Sequence, residues 1–390
     1  MKKTLLVAAL ATGFAGVAHA ESSVTLYGIV DAGYGVTKQT LKENGVTTSK
    51  TSKLGVRGGV QNGNRWGLKG VEDLGNGTAA IFQLEGGFDP ANGNLGQSKA
   101  GEIGKVFGRQ AFVGLTGESW GTFTIGRQYN AADSFVAPID PFGTGWRQAA
   151  ATTTFGSGIS TRYDSAIKYV SPDFGGFQFG VGLVHADDKV QDLVKVNRTK
   201  GTGVTVGAGY NNGPLQLGAG FDYLRAKKTT EIRATGVSTG TDNSIKSWSL
   251  GAAYDFDVVK LHLMYGQTND GLIGGNEDFG LAHDSLVESA VWNKGGLRVK
   301  SWLAGLSAPV GENGKLLFSY QGNRVKNKEV ALNGKRLNGH VWSLGYRQGL
   351  SKRTSVYAVA SYGQAKFKDN LGNRSKLKST DVAVGLTHRF

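Results

Sequence analysis

From about residue 22 onward the chain repeats one device: segments of about ten residues in which large apolar side chains alternate with small or polar ones. Leu215, Leu217, Ala219, Phe221 and Tyr223 share one parity, against Gln216, Gly218, Gly220 and Asp222. Val259, Leu261, Leu263 and Tyr265 oppose Lys260, His262, Met264 and Gly266, and Trp342, Leu344 and Tyr346 oppose Ser343, Gly345 and Arg347. A period of two belongs to the β-strand, whose successive side chains point to opposite faces. After the first twenty residues no apolar run approaches the length of a helical membrane span. The chain is therefore all-β, and the remaining question is which β architecture.

The two parities answer it. The apolar faces often end in Tyr, Trp or Phe, whereas the opposite faces are Gly, Ser, Gln, Asp and Lys. In a soluble sandwich the second set would meet water and the first would form the core, with no reason for aromatic ends. Apolar bands closed by aromatic girdles match the outer surface of a membrane β-barrel, and a polar opposite face suits a wet lumen. The 61 Gly among 390 residues fit this pattern better than any other. Collagen would need Gly at every third position and far more than 6 Pro. Gly180, Gly182, Gly207, Gly209, Gly218, Gly220, Gly251 and Gly266 all fall opposite the aromatics. The expectation is that they keep the inner wall low where solutes pass. The absence of Cys excludes disulfides and Cys-ligated zinc or iron–sulfur sites.

Residues 1–20 read as a cleaved export signal: Lys2 and Lys3, an apolar stretch from Leu5 to Val17, then Ala18-His19-Ala20. The barrel domain is then 21–390. Short turns such as Asn211-Asn212-Gly213-Pro214 and Glu312-Asn313-Gly314 alternate with long polar stretches near 36–53, 89–105, 130–161, 186–202, 226–246, 268–297, 324–339 and 364–379. This is the asymmetry of short periplasmic turns and long external loops. Counting gives a 16-stranded antiparallel transmembrane β-barrel, wide enough for an aqueous channel. One expected strand runs over 54–71. The final strand carries Val382, Val384, Leu386, His388 and Phe390 on its outward face.

Several segments then resemble one family. They are Glu21–Asp31 (ESSVTLYGIVD), Asn64–Gly75 (NRWGLKGVEDLG), Ala80–Glu85 (AIFQLE), Phe107–Leu115 (FGRQAFVGL), Ile125–Tyr129 (IGRQY), Lys168–Phe177 (KYVSPDFGGF) and the tail Gly385–Phe390 (GLTHRF). Together they are similar to the Gram-negative general porins of the neisserial and burkholderial type, over essentially the whole mature chain. The resemblance implies a homotrimer of 16-stranded barrels in the outer membrane. Each would have its own water-filled pore, narrowed by a third external loop folded inside, here about 130–161. It also implies a basic cluster on the wall facing acidic residues or backbone of that loop.

Arg65, in Asn-Arg-Trp-Gly, matches the family's wall arginine, and alternation with Trp66 and Leu68 turns Arg65 and Lys69 inward. Arg109 is the second candidate. Its parity is shared by Ala111, Val113 and Leu115, so either Arg109 or Gln110 is the lumen residue. Arg162 and Lys168 are read as sharing the inward face of strand 162–172. On the loop the acids are Asp133 and Asp140, with Asp140-Pro-Phe-Gly143 as the acidic tip and Arg147 adding positive charge. The plainer alternatives are a solvated rim position for Arg65 and Arg109, and turn formation beside Pro138 and Pro141 for the two Asp. Lys260, His262, Arg347 and Arg389 read as general wall charge.

The formal net charge is +14, and loss of Lys2 and Lys3 leaves +12. A positive lumen concentrates anions, so anion selectivity is expected. Part of the surplus lies in external stretches at Lys326, Lys328, Lys335, Arg336, Lys366, Lys368, Arg374 and Lys376, where lipopolysaccharide phosphates would suit it. The dispersion of these charges over an exported barrel argues against nucleic acid. No HExxH, GxSxG or Walker A motif is present, and the five His of the mature chain form no catalytic set. The expectation is a general diffusion channel with no enzymatic activity, metal or cofactor. The rival is a substrate-specific channel or an adhesin-type barrel.

Overall fold

A computed structural model describes residues 22–97, 104–155, 159–270, 296–327, 336–369 and 371–390. The export signal lies outside the described residues, as do the centres of the 268–297 and 324–339 stretches. Seventeen strand segments form one antiparallel sheet. They are β1 (Ser23–Glu43), β2 (Val46–Gly58), β3 (Arg65–Gly75), β4 (Thr78–Gly87), β5 (Gln110–Gly117), β6 (Gly121–Tyr129), β7 (Arg162–Val170), β8 (Phe177–Gln191), β9 (Lys195–Asn212), β10 (Leu215–Ile232), β11 (Val237–Asp255), β12 (Lys260–Asn269), β13 (Leu297–Val310), β14 (Gly314–Asn327), β15 (Arg336–Gly349), β16 (Thr354–Lys368) and β17 (Arg374–Arg389). The sheet closes into a barrel because one edge of β1 pairs with β17 and the other with β2 and then β3. β2 and β3 are two halves of one stave, so the barrel has sixteen staves, as the alternation predicts.

The expected strand 54–71 is thus interrupted at 59–64, and the cause is a carboxylate. Asp31 is fully buried on the inward face of β1. It accepts backbone N–H bonds from Val60 (2.8 Å), Gln61 (3.3 Å) and Asn62 (3.1 Å), and hydroxyl bonds from Tyr357 (2.8 Å) and Thr387 (2.5 Å). Gly59, at φ 67°, supplies the left-handed residue that lets the chain leave the ladder. Several of the expected loops are instead continued ladder. β1 and β2 pair out to Glu43 and Val46, β8 and β9 to Gln191 and Val196, and β10 and β11 to Ile232 and Val237. Above the membrane both faces of a hairpin meet water, so its sequence loses the apolar alternation while its backbone bonds persist.

The outward faces carry exposed Leu263, Leu306, Leu316, Leu344, Val384 and Leu386. Such a surface is stable only in hydrocarbon. Aromatic contacts mark its borders: Trp248 with Tyr265 and Tyr320 with Trp342 towards the long-loop end, and Tyr254 with Phe256 at a short turn. Phe390 closes the last stave, exchanging backbone hydrogen bonds with Gly28.

The connection between β6 and β7 runs inside the barrel. It contains α1 (Ala131–Val136), single 3₁₀ turns at Ala137–Ile139 and Arg147–Ala149, and α2 (Thr152–Phe155). Here the glycine expectation needs correction. Gly180, Gly207 and Gly220 are cross-strand neighbours, as are Gly209, Gly218 and Gly251. Together they form a trench that the loop occupies. A Cβ on Gly207 would sit 2.6 Å from Phe135, one on Gly251 2.7 Å from Ile139, one on Gly305 2.6 Å from Pro141 and one on Gly345 2.8 Å from Phe142. The wall is low there because the internal loop lies on it, not because solute passes over it.

Candidate functional site

The loop is fixed to the wall by polar bonds. Asn130 caps α1, accepting from the Asp133 N–H (3.1 Å), and donates to Asp222 on β10 (2.9 Å). His262, expected as free wall charge, bonds the Ile139 carbonyl (2.7 Å) and the Ser307 hydroxyl (3.0 Å). Gln321 donates to the carbonyls of Ala149 (2.9 Å) and Ala150 (3.1 Å) and accepts from Thr154 (2.7 Å). Asp140 receives the N–H groups of Phe142 (3.0 Å), Thr144 (2.9 Å) and Ala151 (2.9 Å). Burial pushes its carboxyl up to about 6, against those three donors. Asp140 is thus placed as a turn former, and among the described residues no base of the wall pairs with it. The 59–64 insertion adds a second inward element: buried Val60 clusters with Phe142 and Trp146 of the loop.

Four expected bases come together beside the loop's base. Arg109 pairs with Glu85 at 2.6 Å, and its Nη2 donates to the Tyr129 hydroxyl at 2.9 Å. The Arg162 guanidinium stacks over the Tyr129 ring at 4.1 Å and also donates to its hydroxyl. Lys168 donates to the Tyr129 carbonyl at 3.0 Å. Arg65 lies within electrostatic reach of Arg109, Glu85 and Arg162, and donates to the Gly63 carbonyl at 3.0 Å. Asp133 on α1 faces Arg162 and Lys168 and bonds Ser160, and burial raises its carboxyl. Lys69 sits apart, 5.9 Å from the Tyr27 ring.

At 109 and 110 the structure places the two residues differently from a single strand phase. Gln110 opposes Glu85 in the ladder, while Arg109 lies in a bend just before β5, outside the alternation. Arg162 and Lys168 do not share a strand face. A bulge opposite Arg127, with Ser165 at φ 52°, puts Tyr163 in phase with Lys168 instead. Arg162 then reaches the cluster from the end of β7. Sequence reasoning passed over Glu85 and Tyr129, although the inward parity of Gln83 and Glu85 on β4 was there to be read.

A further difference separates five inward acids from the bases at the short-turn end, where the exposed Asp255 stands opposite Lys260. Asp31, Glu85, Asp140, Asp222 and Asp381 are all no more than 3 % exposed and hydrogen-bonded in the wall or loop. Lys260, Lys315, Arg347 and Arg389 line the short-turn end of the lumen partly exposed, and none forms an ion pair among the described residues. Lys315 and Arg347 even stand directly opposite each other.

Residues 6–370 match the Gram-negative porin family. The chain belongs to the Gram-negative porins. An outer membrane porin of Bordetella pertussis is 40% identical, covering 100% of both chains, and outer membrane porin protein 32 of Delftia acidovorans is 31% identical, again over 100% of both. The solved anion-selective porin from Comamonas acidovorans superposes with a TM-score of 0.62 at 28% identity, over 95% of this chain and 100% of that one. OmpT of Vibrio cholerae, in trimer form, matches in fold with a TM-score of 0.58 at 15% identity, over 95% of this chain and 100% of that one. Porins are outer-membrane channels rather than enzymes. In this porin the barrel wall, the internal loop and the 59–64 insertion together shape the aqueous path.

Proposed function

We propose that this porin is a general diffusion channel selective for small anions, with its narrowest section where Arg65, Arg109, Arg162 and Lys168 face Asp133 of the internal loop. One observation carries the sign of selectivity. Asp31, Glu85, Asp140, Asp222 and Asp381 are buried in hydrogen bonds, while at the short-turn end the bases Lys260, Lys315, Arg347 and Arg389 meet the water and outnumber the exposed Asp255 that faces Lys260. A pore selects through its width and the charge presented to the solvent path. The anion-selective relative from Comamonas acidovorans supports the same sign. Asp140 has no place in this field, since its oxygens are occupied by loop backbone. The protein acts as a homotrimer in lipid and lipopolysaccharide, without catalysis. The outer faces of β4 and β5 support this: Ala80, Phe82, Leu84, Ala111, Val113 and Leu115 carry no Tyr or Trp girdle, as suits a surface turned from lipid. The test is the zero-current potential of the reconstituted porin in a salt gradient, with conductance followed against concentration. Anion-directed potentials and a linear curve are expected. A cation-directed potential removes the selectivity, and a saturating curve favours a substrate-specific channel.

A further inference from the structure

The short-turn end of the lumen gathers cationic donors that lack acceptors. Lys315 and Arg347 are direct cross-strand partners. They share the inward parity of Leu317 and Gly345, which lie against the internal loop. Like charges directly opposite in a sheet repel. Arg389 lies within electrostatic reach of Arg347, and Lys260 within reach of Lys315. Among the described residues no carboxylate forms an ion pair with Lys315, Arg347 or Arg389. The exposed Asp255 stands opposite Lys260, and it acts on Lys315 less than Arg347 and Lys260 do. Lys260 also donates to Gln216 at 3.1 Å. Its charge is thus answered locally, whereas the Lys315–Arg347 pair is not. Asp31 reaches Arg389 less than Arg347 does, and its oxygens are already engaged by the insertion, Tyr357 and Thr387.

Two further facts give these donors a purpose. The Arg347 Nε and Asn62 Nδ2 atoms are buried with no hydrogen-bond partner among the described residues. Asn62 belongs to the 59–64 insertion and accepts from Arg389 at 3.4 Å, so its amide stands beside the same bases. A buried donor without an acceptor destabilises a fold, and native chains keep few of them. The second fact is the floor. One inward register step deeper, Leu317, Val359 and Ala383 cluster with Phe142 and Trp146 of the loop and Val60 of the insertion. A solute on the short-turn side of that cluster meets an apolar floor beside unpaired cations. Charge acts more strongly against such a low-dielectric wall than in open water.

We propose that Lys315 and Arg347, with Arg389 and the Asn62 amide beside them, form a binding site for small solutes that carry a doubly charged phosphate group, free or esterified. The site deepens the channel reading above and rests on it: such solutes are held at a second stage, on the short-turn side of the constriction. The Arg fork takes phosphate oxygens in pairs and Lys supplies point charge. One dianion neutralises both members of the opposed pair and removes their repulsion. A monoanion leaves one charge over. The site therefore ranks anions by charge, and it saturates, whereas a merely positive lumen only enriches them.

The experiment measures chloride current through the full-length porin in a planar bilayer at constant ionic strength. Inorganic phosphate and glycerol 3-phosphate are the probes, both mainly dianions at about pH 8, and methanesulfonate is the monoanion of similar size. Lys315→Gln and Arg347→Gln are made singly and together, and Lys168→Gln tests the constriction. Circular dichroism and heat-modifiable gel migration report folding, so the single variants serve if the double one does not fold. Expected is a saturable loss of chloride current with phosphate and little effect of methanesulfonate. The half-blocking phosphate concentration is expected to rise about tenfold or more in the double variant, as for loss of a charge-assisted contact, less in each single variant, and to hold in Lys168→Gln. Block by both probes extends the site to esters, and block by inorganic phosphate alone restricts it to the free ion. A current loss that never saturates, an equal effect of methanesulfonate, or undiminished block in the folded variants would overturn the site. So would block lost in Lys168→Gln alone, which moves binding to the constriction. Zero-current potentials in potassium chloride test the channel reading by itself. An anion-directed potential without phosphate block leaves that reading standing and removes only the site.

Discussion

Gly218 shows how a single position can decide the width of a pore. It faces inward between Gly209 and Gly251, and the backbone oxygen of Phe135 lies where its Cβ would be. Glycine in a strand usually weakens it. Here it lets a helix backbone approach the sheet more closely than any side chain would permit. Gly218→Val has no room without moving α1 towards the pore axis, at a cost of about 1–3 kcal/mol as for other overpacked sites. The expected outcome is a folded barrel with lower single-channel conductance in a planar bilayer, and unchanged conductance would show that the trench does not position the loop. The same scale explains Arg109. Alternation assigns it to the outer face, yet the bend before β5 frees it from that phase, and the 2.6 Å bond to Glu85 fixes it in the cluster.

At the scale of the element, the internal loop is a poor helix former held by its surroundings. α1 has six residues and α2 four, too short to persist alone. What orders them is the wall: Gln321, fully buried on β14, bonds two loop carbonyls and the Thr154 hydroxyl. Gln321→Ala leaves those groups without partners, and each buried polar group so orphaned costs about 1–3 kcal/mol. The variant is expected to keep its barrel, as its gel migration would report, while open-channel noise rises and protease reaches the loop. Silent, protease-resistant channels would place the anchoring elsewhere. The 59–64 insertion follows the same logic from the other side, since the buried carboxylate of Asp31 organises it.

Across the whole molecule, charge is distributed by end and by face. Bases gather at the short-turn end of the lumen and in outward rows near the long loops, while Asp31, Glu85, Asp140, Asp222 and Asp381 are held inside the wall and loop. Selectivity is therefore a property of the ensemble of inward charge. Replacing both Lys315→Glu and Arg347→Glu keeps a like-charged pair in the same register, so the load on the fold is similar and only the sign changes. The expected outcome is a several-fold loss of anion preference in zero-current potentials, or its reversal. An unaltered ratio would assign selectivity to the Arg65–Arg162 cluster alone.

The barrel was legible because each stave is read by two solvents. One parity must suit hydrocarbon and the other must not, and that local rule recurs in every stave, as in 215–223 and 342–346. It yields the stave count, the outward aromatics and the inward phase of Arg65, Lys69 and Lys168. Where both faces meet water, as in 36–53 or 186–202, the rule is silent although the ladder continues. The interior was not legible for a related reason. Which polar group meets which depends on contacts between residues far apart in sequence, such as Asp31 with Thr387 or Gln321 with Thr154. A bulge at Ser165 or a bend at Arg109 reverses a phase that alternation alone would carry through. The sequence by itself determined that this chain is a transmembrane barrel with a basic balance. Only the tertiary structure decided that its glycines seat the internal loop, that Asp140 binds backbone, and that Asp31, Glu85, Asp222 and Asp381 are buried while Lys260, Lys315, Arg347 and Arg389 meet water, because those outcomes depend on how the loop folds back across the sheet.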